Sequence, residues 1–433
     1  MRTPFTHHPG SARSSIPSTL RADVAVIGGG VVGHGIAWEA QRSGRSVVLI
    51  DDAPGTGASW AAAGMLAPVS ELHYQEEELL ELMLDASSRW PGFAAGLGRA
   101  TGADSGYLTT PTLAVGADAA DRRALMDLRT VQQANGLAVE PLTVREARKR
   151  EPLLSPAIAC ALDTPADHQV DPRRLVAALR LALAGAAQEQ PQLAVAGAVE
   201  GFAVPERAAG LLWEGGTVSG VRLAGGGTVL ATETVVANGL QAGALDGLPD
   251  GLELPLRPVH GDILRLAVPR HLQPLVTSTV RGLVHGIPVY IVPRQDGTVV
   301  IGATQREDAL SDAVSAGGVY QLLRDAQALV PAVAELELME CTARARPGTP
   351  DNAPLLGRVP AAPGAGGGQA GHVPGLIIAA GFFRHGVLLT PAAAAICREL
   401  LDGRADPRWG PFSPDRFSRP ATAATSPHIK ETA

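Results

Sequence analysis

A glycine-rich turn is the first feature of the chain with the composition to do chemistry. Gly28-Gly29-Gly30-Val31-Val32-Gly33 satisfies G-x-G-x-x-G and directly follows the apolar run Asp23 to Ile27. In that setting Gly28 permits a tight turn, Gly30 lets backbone approach a pyrophosphate, and Gly33 allows a helix to pack closely on a strand. The N–H groups at the start of that helix then face the phosphates, where the helix dipole favours negative charge. A second apolar run, Val47 to Ile50, ends at Asp51 and Asp52. An acid 23 residues after Gly28 is placed to accept hydrogen bonds from an adenosine ribose, and its charge disfavours a 2′-phosphate. Gly57 to Met65 is small and glycine-bounded, so Ala58, Ser59, Ala63, Gly64 and Met65 suit a planar cofactor. The same stretch also reads as an alanine-rich helix, and the fingerprint alone does not separate FAD from NAD.

Composition removes other chemistries. Of 36 basic residues, 34 are Arg and only Lys149 and Lys430 are Lys. Lys149 sits in a charge run and Lys430 is the fourth residue counted from the end, so neither suits a Schiff base or a Walker-type phosphate loop. A net charge of −7 gives no nucleic-acid footprint. Cys160, Cys341 and Cys397 form no C-x-x-C pair. They read as core thiols of a cytoplasmic, reducing compartment, and no metal site is expected. No run of 18 apolar residues suggests a membrane span.

The elements that must position these residues follow from periodicity. Residues 23–50 form a β-α-β unit, and residues 76–100 and 118–134 carry helical spacing. Gly201 to Val236 alternates as an antiparallel meander, and Val289 to Ile301 is a hairpin turning at Asp296-Gly297. Residues 1–21 are expected to be a flexible tail, as are residues 411–433, and Pro360 to Pro374 an inserted flexible loop. The fold expected is α/β: a Rossmann-type cofactor domain with an inserted antiparallel-sheet α+β substrate domain. Residues 22–105, 150–250 and 341–405 are assigned to the first, and residues 106–149 and 251–340 to the second.

Taken together, several phrases resemble the FAD-dependent amine oxidases of the D-amino-acid oxidase type, and within them the glycine oxidases. They are Gly28 to Asp51, Ala61 to Leu66, Asp167 to Pro172, Tyr290 to Arg294, Gly302 to Thr304, Arg346 to Thr349 and Gly381 to Gly386. The resemblance spans about residues 22–405. It implies non-covalent FAD, with Val170 where the chain returns to the cofactor. It also implies that Phe382, Phe383, Arg384, His385, Gly386, Val387 and Leu388 form a helix start against the flavin. It further implies that Arg346 binds the carboxylate of a small amino acid, with Tyr290 and Arg384 beside it. A guanidinium suits that task because it binds bidentately and stays charged. Arg344 shares strand parity with Arg346 and is its rival. The implied reaction is hydride transfer from glycine, sarcosine or D-alanine to flavin N5. Oxygen then takes the electrons to give peroxide, and the product is an imine or glyoxylate with ammonia. Homo-oligomerisation and a link to thiazole-synthesis enzymes of the thiamine route come with the same resemblance.

The chain departs from that pattern at Pro288, Gln305 and Phe382, where glycine oxidases commonly carry His, Met and His, which leaves amine specificity open. A sarcosine-oxidase-like enzyme would place a Cys where Arg344 stands and a lysine where Leu388 stands, so a covalent flavin is not expected. A D-amino-acid dehydrogenase and a non-catalytic FAD-binding subunit are the remaining alternatives.

Overall fold

The computed structural model describes residues 18–74, 76–307, 312–361 and 371–418. Two eight-stranded sheets organise them. At the centre of the first, Thr19–Ile27 pairs in parallel with Val47–Ile50 on one side and Thr228–Val236 on the other. His372–Ala380 extends the parallel set, and Leu355–Pro360 closes that edge antiparallel. These strands are buried on both faces, and their side chains alternate between two cores. Val24 and Val26 pack with the helices Val31–Arg42, Glu77–Thr101, Pro172–Glu189 and Gly386–Leu401. Ala25 and Ile27 pack on the other face with residues of the meander strands Ala208–Glu214 and Thr217–Leu223.

The second sheet runs Glu337–Gly348, Arg257–Ala267, Thr298–Gly302, Ile287–Pro293, Thr279–Val284, Thr112–Gly116, Cys160–Thr164, Glu140–Leu142. All neighbours are antiparallel except Thr112–Gly116 with Thr279–Val284. Helix Ala316–Leu329 covers one face through Leu322, Ala326 and Leu329. The expected hairpin is present, with Tyr290 opposite Gly302. A short ladder, Met65–Leu66 against His168–Gln169, brings the chain back beside the first sheet.

Several expected boundaries shift. Cys160–Thr164, expected in the cofactor domain, pairs with Thr112–Gly116 in the second sheet. Residues 341–348 pair there with residues 257–264. Strand pairing joins segments far apart in sequence, so local composition does not reveal which sheet a strand enters. The N-terminal tail ends earlier than residue 21, because Thr19 to Ala22 pair with Thr228 to Ala231 and Leu20 is buried. At the other end Trp409 and Phe412 are buried. Arg416 there grips both oxygens of Asp351 at 2.9 Å, so packing continues to residue 418. Within the expected loop, residues 362–370 lie outside the described residues, and His372 already belongs to a strand.

Candidate active site

A cleft of about 820 Å³ runs between the two sheets. Gly28, Gly30, Val31, Val32, Asp51 and Asp52 line one end. Here the strand Thr19–Ile27 turns into helix Val31–Arg42 with Gly28 at φ +108°, a conformation that side chains resist. A Cβ on Gly33 would overlap the carbonyl of Gly28, so the helix sits directly on the turn. Asp51 holds that turn: its Oδ2 accepts from the Gly29 amide at 2.5 Å and its Oδ1 from Ala53 at 2.7 Å. Gly30, the N-cap, supplies no side chain to the helix amides, and Ser59 Oγ accepts from Val31 N at 3.0 Å. Asp51 thus shapes the glycine turn in addition to facing the cleft.

Ala58, Ser59, Ala63, Gly64 and Met65 line the middle of the cleft. Opposite them stand Phe382, Phe383, Arg384, Gly386 and Val387, at the start of helix Gly386–Leu401, which also has no side-chain cap. Four residues expected at the cofactor do not border the cleft. Gly33 lies beneath the turn, and Leu388 faces the helical core. Val170 is fully buried and gives its N–H to Gly64 O at 2.8 Å. His385 is buried behind the helix start, with Nδ1 3.4 Å from Glu71. Their contribution is to seat neighbours that do face the cleft. Arg294, from the hairpin, crosses to the same wall. It donates to Gln169 Oε1 at 3.0 Å, to the Val170 carbonyl at 3.2 Å and to the Ala63 carbonyl at 2.5 Å.

Glu71, His73, Arg281, Pro288, Tyr290, Gln305, Arg346 and Arg384 line the far end. Arg346 and Tyr290 lie flat over glycines of neighbouring strands. A Cβ on Gly261 would sit 2.5 Å from both Arg346 Nη atoms, and one on Gly302 would overlap the Tyr290 hydroxyl. Arg346 has no carboxylate partner among the described residues. The other cations do. Arg281 donates to Glu71 at 2.7 Å, and Arg384 pairs with Glu76 and stacks 5.2 Å from Phe383. Arg344, the expected rival, lines the cleft but gives Nε to the Thr56 carbonyl at 3.0 Å and Nη1 to the Ala343 carbonyl at 2.7 Å. Burial pushes the Tyr290 hydroxyl up to about 12, so it stays a protonated donor at neutral pH. Partial burial, then Arg384 and Arg281, holds His73 well below its ordinary value and therefore neutral. Glu71 stays ionised despite burial because Arg281 and His385 hold its carboxyl well below the usual range.

Sequence reasoning missed Arg281, Glu71 and His73. Arg281 carried a signal, as the single charge in the otherwise uncharged strand Thr279–Val284. Glu71 and His73 carried none, since only the tertiary fold brings them to the cleft. Cys341 is exposed at the edge strand, not in the core as expected, while Cys160 and Cys397 are buried.

The residues present fit a dinucleotide with a planar head group. Two helix starts whose own N-cap residues give no side-chain cap face one cleft, and the glycine turn leaves room for backbone to approach phosphate. That combination, ending on an unpaired guanidinium, defines a dinucleotide-dependent oxidoreductase. The chain belongs to the FAD dependent oxidoreductase (DAO) family, whose sequence profile matches residues 23–400, and FAD is its cofactor. It is similar to the glycine oxidase of Geobacillus kaustophilus: 33% identical over 386 residues, 89% of this chain and 94% of that protein. The crystal structure of glycine oxidase from that organism superposes with a TM-score of 0.78 at 32% identity, covering 92% of this chain and 99% of that one. The bifunctional protein ThiO/ThiG of Trichormus variabilis is 29% identical over 416 residues. That match covers 96% of this chain and 58% of the bifunctional protein, so the chain spans little more than half of it.

Proposed function

We propose that the protein oxidises glycine and small amines such as sarcosine or D-alanine, with oxygen as electron acceptor. The observation that carries this reading is the unpaired Arg346 guanidinium at the far end of the cleft, with the protonated Tyr290 hydroxyl beside it. A cation left without a counter-ion among the described residues calls for an anionic ligand, and a carboxylate matches its fork. FAD, when bound, accepts a hydride from the substrate carbon and is reoxidised by oxygen. Arg346 and Tyr290 supply orientation. Arg281 and Arg384 are neutralised by Glu71 and Glu76, so the carboxylate is drawn to one place. Neutral His73 adds no competing charge.

The relatives named glycine oxidase, and the bifunctional ThiO/ThiG protein, support glycine as substrate and a supply of imine for thiazole synthesis. A cytoplasmic location fits this reading, and no helix among the described residues is long and apolar enough to cross a membrane. Assembly into a homo-oligomer belongs to the same proposal. The test is anaerobic mixing of the yellow holoprotein with glycine, sarcosine, D-alanine and bulkier D-amino acids, followed by peroxide detection in air. Glycine is expected to bleach the flavin. Bleaching by a bulky D-amino acid alone would sink the glycine assignment.

A further inference from the structure

The segment that carries Glu71 and His73 to the cleft is not held by a helix or sheet of its own. It leaves the two-residue strand Met65–Leu66 and continues as a turn. Its backbone is secured by two buried side chains from distant parts of the chain. Asp167 is fully buried, and its Oδ1 and Oδ2 accept the amides of Val69 at 2.9 Å and Ser70 at 2.8 Å. From the opposite direction Gln132, on helix Ala119–Ala134, donates Nε2 to the Val69 carbonyl at 2.9 Å. The next residue after Ser70 is Glu71, whose carboxylate takes Arg281 on one oxygen and lies 3.4 Å from His385 with the other.

Burying a carboxylate with no cation bound to it is costly, and burial pushes the Asp167 carboxyl up to about 6. The two amides still need two acceptors side by side. An asparagine would turn an NH₂ group toward one of them. The clamp therefore converts the position of a turn into the position of a charge. If Val69 and Ser70 drift, Glu71 drifts with them, and Arg281 loses its counter-ion at the wall of the same cleft that holds Arg346.

We propose that Asp167, assisted by Gln132, is a positioning residue for substrate binding. By fixing Glu71 on Arg281, it leaves Arg346 as the single uncompensated cation among the described residues of that end of the cleft. This rests on the carboxylate-anchor reading above and adds residues that do not border the cleft.

The test is a double-mutant cycle on holoenzyme, read as the Kd of glycolate from its perturbation of the flavin absorbance. Asp167→Asn is expected to tighten glycolate binding about threefold, because a freed Arg281 adds attraction for an anion. It is also expected to lower kcat with glycine, because that second cation holds the carboxylate off its productive seat. In a Glu71→Gln background, where Arg281 is already free, Asp167→Asn is expected to change Kd by less than in wild type, the remainder of the effect being the direct attraction between Asp167 and Arg281. Unchanged or weaker glycolate binding in Asp167→Asn overturns the proposal, as does an equal effect in both backgrounds. Should Asp167→Asn yield no folded holoenzyme, Gln132→Leu loosens the same segment, and an unchanged Kd there overturns the proposal too. Glycolate that leaves the wild-type flavin unperturbed would overturn the anchor itself. Glycine that fails to bleach a flavin which glycolate perturbs would sink the substrate assignment and leave the clamp standing.

Discussion

Replacing Gly261 by alanine tests the anchor without touching it. The added Cβ would stand 2.5 Å from Nη1 and Nη2 of Arg346 and 2.7 Å from its Cζ. Non-bonded heavy atoms settle at roughly 3.5 to 4.0 Å, so the guanidinium must retreat by about 1 Å. The obstructed atoms are the far end of a flexible side chain, so the backbone pairing of Gly261 with Arg344 can stay in place. Fold stability should change little. Catalysis should not, since a displacement of about 1 Å from productive geometry costs on the order of 100-fold in rate, equivalent to about 2.7 kcal/mol. Steady-state kcat/KM with glycine is expected to fall by about that factor, with flavin content and Tm close to wild type. An Arg346→Lys variant should lose at least as much, and Gly261→Ala should add little to it. Unchanged kcat/KM in Gly261→Ala would show that the place of the Arg346 guanidinium is immaterial, and would move the anchor to Arg344 or Arg384.

Other outcomes are as direct. Gly33→Ala drives a methyl group into the Gly28 carbonyl, so the purified variant should lack the flavin absorbance of wild type. Tyr290→Phe removes a donor to a charged group, and the KM for glycine should rise about tenfold or more. Acid precipitation should release the flavin to the supernatant, whereas a coloured pellet would reveal a covalent link. Of the three thiols, Cys341 should react readily with a disulfide reagent at pH 8. Buried Cys397, pushed up to about 12, should stay silent until the protein unfolds, as should buried Cys160.

The glycine turn, the helices Glu77–Thr101 and Ala119–Ala134 and the hairpin ending at Gly302 were legible because each is written in neighbouring residues. Asp118, for example, caps the second helix with Asp121 in reciprocal hydrogen bonds that local spacing encodes. Arg346 and Tyr290 were located by motif and do line the cleft. The charge balance around them was not legible. That Arg384 is paired depends on Glu76, and that Arg281 is paired depends on Glu71, contacts spanning 308 and 210 residues. Leu388 and His385 sit within the right motif but face inward, because a helix start exposes only some of its residues to one side. Membership of a strand in one sheet or the other is likewise set by partners far along the chain, which is why Cys160–Thr164 and residues 341–348 were assigned to the wrong side.

Arg294 bears on how the molecule can move. Its guanidinium starts on the hairpin of the second sheet and ends on carbonyls at Ala63 and Val170, beside the first. Pulling the sheets apart there would strip a half-buried guanidinium of its acceptors, and burial already holds this group below its ordinary value, at about 10. Separating the two halves beside the cleft therefore costs three hydrogen bonds of one cation together, to Gln169, Val170 and Ala63.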